Sequence, residues 1–327
     1  LPFKNFASSQ KHPEWLYKRL LNIRYEYGLF RTLHRIESII NINAIDLIHS
    51  NLNRIDIGAI LSKKYHIPHL WHIREYGEQD FKLTYVKNKP YLYMESFESE
   101  YIAISEGVKN HWICNGLSAK RMHLVYDGIR EELYPIVRNK TSCQDFTRMI
   151  FLGGYCKSKG QEELIEALHL LPSEILSKIK MDFFGNGKDS YINYLKNKIV
   201  KYNMSEQVTL FHYDSNIWKK VPDYQIGFNC SMAEGFGRVT VEYMMSGLCV
   251  IASDKGANQE LIQNGKTGLI YRKSDYKDLA MKIKYAVSHK SEMINYGKNA
   301  QNYAKEHFSM KKHAQMVVNL YHHICNL

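Results

Sequence analysis

The stretch Ser231-Met-Ala-Glu-Gly-Phe-Gly-Arg-Val-Thr-Val-Glu242 follows an apolar run, Gln225 to Asn229, and reads as the loop and helix that succeed a strand. Gly235 and Gly237 let the loop backbone approach a ligand closely, and a helix start presents N–H groups that favour an anion. Glu234 lies on the loop and Glu242 on the helix, so two carboxylates can grip separate hydroxyl groups of one ligand. An ionised acceptor holds a hydroxyl more strongly than a neutral one. Taken singly, each residue has a purely structural reading: a solvated helix face for Glu242, an ordinary turn for the glycines.

Working outward, the same alternation of short apolar runs and helical stretches fills most of the chain. Strands are expected at Met149 to Gly153, Lys180 to Phe184, Val208 to His212, Gln225 to Asn229 and Leu248 to Ala252. In the first half they are expected at Ala44 to His49, Ile67 to Ile73, Tyr101 to Ser105 and Met122 to Tyr126, with helices over Arg54 to Tyr65 and Glu106 to Asn115. Helices are also expected from about Pro13 to Ile40 and from Ser274 to the end. Strands alternating with helices build parallel sheets, and 327 residues exceed the usual size of one core. The expectation is therefore an α/β protein of two Rossmann-like domains facing each other across a cleft. The first covers 1–147 and the second 148–309, with 310–327 returning to the first as a helix. The polar segment Pro135 to Thr147 reads as the linker between them.

Two further stretches carry chemistry. Phe151-Leu-Gly-Gly-Tyr-Cys-Lys-Ser-Lys-Gly160 opens the second domain and runs into a helix. A lysine beside a helix start stabilises an anion without a metal. Phe183-Phe-Gly-Asn-Gly187 ends a strand in a glycine-rich turn, which by itself is a weak signal.

In combination these residues resemble family 4 of the retaining glycosyltransferases, which have the GT-B fold. Glu234, Gly235, Phe236, Gly237 and Glu242 match its E-G-F-G motif with a second Glu eight residues after the first. Gly265, Thr267, Gly268 and Leu269 match a later turn, and Lys159 and Gly160 match the phosphate loop. Gly154 stands where the family usually has Arg, and Arg238 or Lys157 could substitute.

The resemblance implies that Gly154, Lys159, Gly160, Gly185, Gly187, Glu234, Gly235, Phe236, Gly237, Arg238 and Glu242 bind the donor. It also implies that Glu234 and Lys159 act in catalysis, together with Arg74 or His72 at the end of the strand Ile67 to Ile73. The co-substrate would be a nucleoside diphosphate sugar, with no other cofactor and no metal, and the acceptor a carbohydrate or lipid-linked hydroxyl in bacterial surface polysaccharide synthesis. The family usually opens with a strand and a glycine-rich loop, so the resemblance implies that part of the acceptor domain precedes Leu1. A glycosyltransferase-like subunit that binds without chemistry is the competing reading, and retention of Glu234, Glu242 and Lys159 together speaks against it.

Composition narrows the classes further. No G-x-G-x-x-G follows a strand, no D-x-D triplet occurs, and the six cysteines contain no C-x-x-C pair. A dehydrogenase, a D-x-D metal-dependent transferase and a zinc or disulfide scaffold are set aside on these grounds. The charge of +11 suits polyanions, but no nucleic-acid recognition motif is present, and nucleic acid is not expected as a partner. No apolar run is long enough to cross a bilayer and the first residues lack a signal-peptide pattern, which predicts a cytoplasmic protein. Leu1 to Asn41 carries seven basic residues against three acidic ones, interleaved with Trp15, Tyr17, Tyr25, Tyr27 and Phe30. This pattern predicts peripheral contact with an anionic membrane surface at the inner face. The alternative is an ordinary helix packed on the first domain with its charges in water.

Overall fold

The computed structural model describes residues 7–8, 15–77, 84–87, 89–134 and 146–326. It divides into two compact units, Leu1–Tyr126 with Ala314–Leu327, and Asp127–His313.

In the first unit β1 (Ala7–Ser8) and β4 (Thr84–Tyr85) form a short antiparallel pair. The main sheet is parallel throughout, with β2 (Ile48–Ser50), β3 (His69–Ile73), β5 (Glu100–Ala103) and β6 (Met122–Leu124) in the order β2-β3-β5-β6. Every residue of β3 is buried, as expected of a parallel strand covered on both faces. Ser105 caps the helix Glu106–Cys114 by accepting from the Val108 N–H at 3.1 Å, which satisfies one of the donors a helix start leaves over. Late in the chain Leu320, on the helix Met310–Cys325, packs against Leu70, Ile102 and Val125.

The second unit holds six parallel strands: β7 (Thr147–Leu152), β8 (Ile179–Phe184), β9 (Val208–Phe211), β10 (Ile226–Asn229), β11 (Cys249–Ser253) and β12 (Gly268–Tyr271). Their order is β12-β11-β10-β7-β8-β9. The chain thus winds outward from β7 in one direction, returns to lay β10 on the other side of β7, and winds outward again. Helix Gln161–His169 packs on Tyr276–Ser288, while Arg238–Met245 packs on Lys290–Phe308. Between sheet and helices lie Phe151, Phe183, Phe228, Leu164, Leu168 and Leu195, each at most 2% exposed. Full burial of one such side chain contributes about 2 kcal/mol.

Several expected boundaries shift for local reasons. Ala44 to Leu47 is not strand: Asn41 and Ile42 accept from the Ala44 and Ile45 N–H groups, and the resulting 3-10 turn Ile42–Ala44 delays β2 to Ile48. Arg54 lies in a turn, and its helix begins at Ile57 after Asp56. Strand β12 is an addition to the expected series. Residues 135–145 of the expected linker lie outside the described residues, and Thr147 already belongs to β7. The contact division falls at 126/127 and 313/314, against the expected 147/148 and 309/310. No described helix is long and apolar enough to cross a membrane.

Candidate functional site

A parallel sheet collects its loops at the carboxyl ends of its strands, and adjacent loops diverge where the winding direction reverses. In the second unit that reversal lies between β7 and β10. The loop after β7 carries Gly153, Gly154 and Lys159, and the loop after β10 carries Ser231 to Gly237. Between them opens a cavity of about 530 Å³ whose wall includes Gly154, Lys159, Gly185, Glu234, Arg238 and Glu242. Six of the residues expected to bind a donor therefore share one wall, although they come from three separate segments of chain, following β7, β8 and β10.

Lys159 Nζ is ion-paired with Glu234 Oε1, and Ser231 Oγ donates to the same oxygen at 2.7 Å. Among the described residues nothing bonds Oε2, so the carboxylate is oriented through one oxygen while the other is available to a ligand hydroxyl. The Glu234 backbone is fixed as well, because its carbonyl accepts from the Ala257 N–H at 3.2 Å. Beneath the loop, Asn229 Nδ2 donates to Thr240 Oγ1 at 2.8 Å, and Thr240 Oγ1 donates to Asn258 Oδ1 at 2.9 Å. This buried network ties the end of β10 to the first turn of helix Arg238–Met245.

Lys159 is held from below by a second device. Gly160 has φ +81°, and a Cβ there would overlap the Cys230 carbonyl oxygen, so only glycine fits. Just behind it the buried Lys273 ammonium pairs with Glu163 and donates to the Cys230 carbonyl at 2.7 Å, while the Ser274 N–H donates to Glu163 Oε1 at 2.6 Å. Helix Gln161–His169, β10 and the end of β12 are thereby locked together. Gly185 and Gly187 serve similar close approaches, the first to the Gly153 carbonyl and the second to Tyr155. Gly160, Gly187, Gly235, Phe236 and Gly237 are not on the cavity wall. The Phe236 ring is buried edge-to-face against Phe308, with centroids 5.9 Å apart, and Gly237 caps helix Arg238–Met245.

Glu242 is mostly withdrawn from water, and burial raises its carboxyl above the ordinary value of 4.5, opposed by Tyr134 and Arg238. Tyr134 donates to Glu242 Oε1 at 2.8 Å, and Arg238 Nε lies 3.3 Å from the same oxygen. The Tyr134 ring meets Trp218 edge-on, with centroids 4.5 Å apart. Sequence reasoning missed Tyr134, Asn186, Tyr213, Asp214, Ile217 and Trp218, the last five of which also line the cavity. Residues 213–218 follow β9, and the rule that loops at carboxyl ends line the site was the signal that could have found them.

His72 and Arg74 belong to the first unit. His72 is 1% exposed and stacks on His49 at 5.4 Å, while Arg74 Nε donates to Asn51 Oδ1 at 3.0 Å.

The profile of the family described as Glycosyl transferases group 1 matches residues 137–303. An uncharacterized glycosyltransferase of Methanocaldococcus jannaschii is 27% identical over 291 residues, spanning 87% of this chain and 77% of that protein. The capsular polysaccharide biosynthesis glycosyltransferase CapM of Staphylococcus aureus is 23% identical over 264 residues, spanning 72% and 67%. Among solved structures, Anabaena HepE in complex with UDP has a TM-score of 0.76 at 21% identity, covering 90% of this chain and 81% of that one. A glycosyltransferase from Rickettsia africae also reaches 0.76, at 18% identity, covering 96% and 83%. These structural likenesses show the GT-B type of fold, with a parallel sheet in each unit. On the match to its second unit, the chain belongs to the group 1 glycosyltransferases.

Proposed function

We propose that this chain transfers a hexose from a nucleoside diphosphate sugar to a hydroxyl of a carbohydrate or lipid-linked acceptor, with retained anomeric configuration and no metal or other cofactor. The observation that carries the reading is the convergence of Lys159, Arg238, Glu234 and Glu242 on one cavity of about 530 Å³. Two cations suit a diphosphate, two carboxylates suit hydroxyl groups, and the volume lies in the range of small-molecule sites. Anabaena HepE has been solved with UDP-glucose, and CapM is named for capsular polysaccharide biosynthesis, which supports a nucleotide sugar and a polysaccharide pathway here.

As the bond from the anomeric carbon to the phosphate oxygen breaks, negative charge grows on the leaving diphosphate. Lys159, Arg238 and the start of helix Arg238–Met245 meet that charge, and groups already in place need no reorganisation as it develops. Glu242 accepts from the ribose hydroxyls. Glu234, on the cavity wall, holds the sugar through the carboxylate oxygen that Lys159 and Ser231 leave open. The acceptor oxygen bonds to the anomeric carbon on the face the phosphate leaves, and its proton passes to the departing phosphate oxygen. Configuration is thus retained without a protein nucleophile.

Calorimetry of the chain with UDP, GDP and ADP, and with their hexose conjugates, tests the reading. One nucleotide should bind, turnover should survive a chelator, and the product should keep the donor's anomeric configuration by NMR. Folded protein that binds none of them overturns the proposal, and donor binding without turnover on any carbohydrate or lipid-linked acceptor points to a binding subunit.

A further inference from the structure

Helix Trp15–Ile39 has a buried face and an open one. One is buried: Tyr25 is 1% and Thr32 9% exposed, and the Tyr25 hydroxyl donates to the buried Asp56. The opposite face is open. Leu20, Ile23, Tyr27 and Phe30 are 54%, 60%, 64% and 69% exposed, and their spacing of three, four and three residues stacks them in one stripe. Large apolar side chains scattered singly on a surface need no explanation, but four in register do.

The charges beside the stripe are sorted. Arg24, Arg31 and Arg35 form a row along one flank, all exposed, and none pairs with a carboxylate among the described residues. Arg31 reaches back over the Tyr27 ring, 5.8 Å from its centroid. On the other flank stand Glu26 and Glu37. Each is ion-paired with a lysine of the same unit, Glu26 with Lys87 at 2.6 Å and Glu37 with Lys64. An acidic repulsion that would oppose a negatively charged surface is thus cancelled on one side, while the positive charge on the other is uncompensated.

We propose that this face lies on an anionic lipid surface, with Leu20, Ile23, Tyr27 and Phe30 entering the headgroup boundary and Arg24, Arg31 and Arg35 meeting lipid phosphates. An apolar stripe edged by arginines is the pattern of a helix that rests in the interface plane. A planar, five-donor guanidinium binds phosphate in a way a solvated point charge does not. The inference is independent of the donor chemistry, since it rests on the first unit alone.

The test is sedimentation of the full chain with vesicles of phosphatidylcholine, alone or with one third phosphatidylglycerol, in low and high salt. Wild-type protein should pellet with the mixed vesicles in low salt and stay in solution with the neutral ones, and high salt should release it as the charges are screened. Replacing Arg24, Arg31 and Arg35 together by Gln should weaken partitioning about a hundredfold at low salt. Ile23→Ser with Phe30→Ser should weaken it while leaving the salt dependence in place. All five positions are exposed, so thermal unfolding and nucleotide binding should match wild type, which separates a failure here from a failure of the donor site. Three results overturn the proposal: equal binding to neutral vesicles, variants that pellet like wild type, or a wild-type dimer that the serine variant dissolves, which would assign the stripe to a second copy of this chain.

Discussion

Both units take polar side chains out of water, in different places. In the first unit they lie in the sheet and among the helices beside it: His69 on β3 bridges Ser50 Oγ at 2.9 Å and Ser99 Oγ at 2.7 Å, and Asp56, just before helix Ile57–Tyr65, accepts from Tyr25 and Tyr93 on two other helices. In the second unit they gather around the carboxyl ends of β7 and β10, where Glu234 and Glu242 face a cavity and the buried Lys273 and Glu163 neutralise each other beneath it. Buried polar groups tie strands and helices of the first unit together; in the second they position a site. The contrast also sets where acid should act first, because His69 and His72 are the only buried histidines among the described residues.

Burial, with the nearby His49, pushes His69 down to about 3 from an ordinary 6.5. The folded state therefore refuses a proton that the unfolded chain accepts. The stability this contributes is complete above pH 6.5 and is lost progressively as pH falls toward 3, by several kcal/mol in all. Acid titration followed by tryptophan emission checks it, since Trp71 and Trp112 are fully buried in the first unit. The first unit should unfold at higher pH than the second, with a slope that appears below pH 6.5. Simultaneous loss of both units, or a first unit insensitive down to pH 4, breaks the contrast.

For the second unit the largest effect is expected at Lys159. Lys159→Ala should lower kcat by about a hundredfold, roughly 3 kcal/mol, with a smaller change in donor affinity, because the cation meets charge that develops only as the bond breaks. Glu242→Gln keeps the shape of the side chain but removes its charge, and should weaken donor binding about tenfold. It should also flatten the pH dependence of that binding. In wild type, affinity should fade as pH drops toward a midpoint above 4.5, since a raised carboxyl loses its charge earlier on acidification. Steady-state kinetics and calorimetry across pH separate these two outcomes.

The second unit was the more legible in sequence, and the reason is local. Gly154, Lys159, Glu234, Arg238 and Glu242 each stand in or beside a short loop whose neighbours announce a strand before and a helix after. Residues 213–218 carry no such marker, and become part of a wall only because β9, β8 and β7 lie side by side. In the first unit, the expected strand from Ala44 ignored Asn41, whose carbonyl starts a 3-10 turn. Alternation on β3 could not be used to choose between faces either, because all five of its residues are buried. His72 was therefore legible as a strand residue and no further.

Tyr134 is the residue on which the assignment of Glu242 can be sharpened most finely. It is 108 positions from Glu242 in sequence, so no motif joins the two, yet its hydroxyl occupies Oε1. A carboxylate has acceptor sites to spare, but Arg238 shares this oxygen as well, and a ribose hydroxyl must compete with both. Tyr134→Phe keeps the ring against Trp218 and removes only the donor. If Glu242 binds the ribose, nucleotide affinity at neutral pH should rise a few-fold, an effect of about 1 kcal/mol. The hydrogen bond from Tyr134 also favours the charged carboxylate, so its loss should move the acid limb of donor binding to higher pH. Tighter binding at pH 7.5 together with an earlier fade on acidification is the expected signature in calorimetry. A several-fold loss of affinity at every pH would instead make Tyr134 a positioning residue that aims Glu242, and an unchanged curve would take Glu242 away from the ribose altogether.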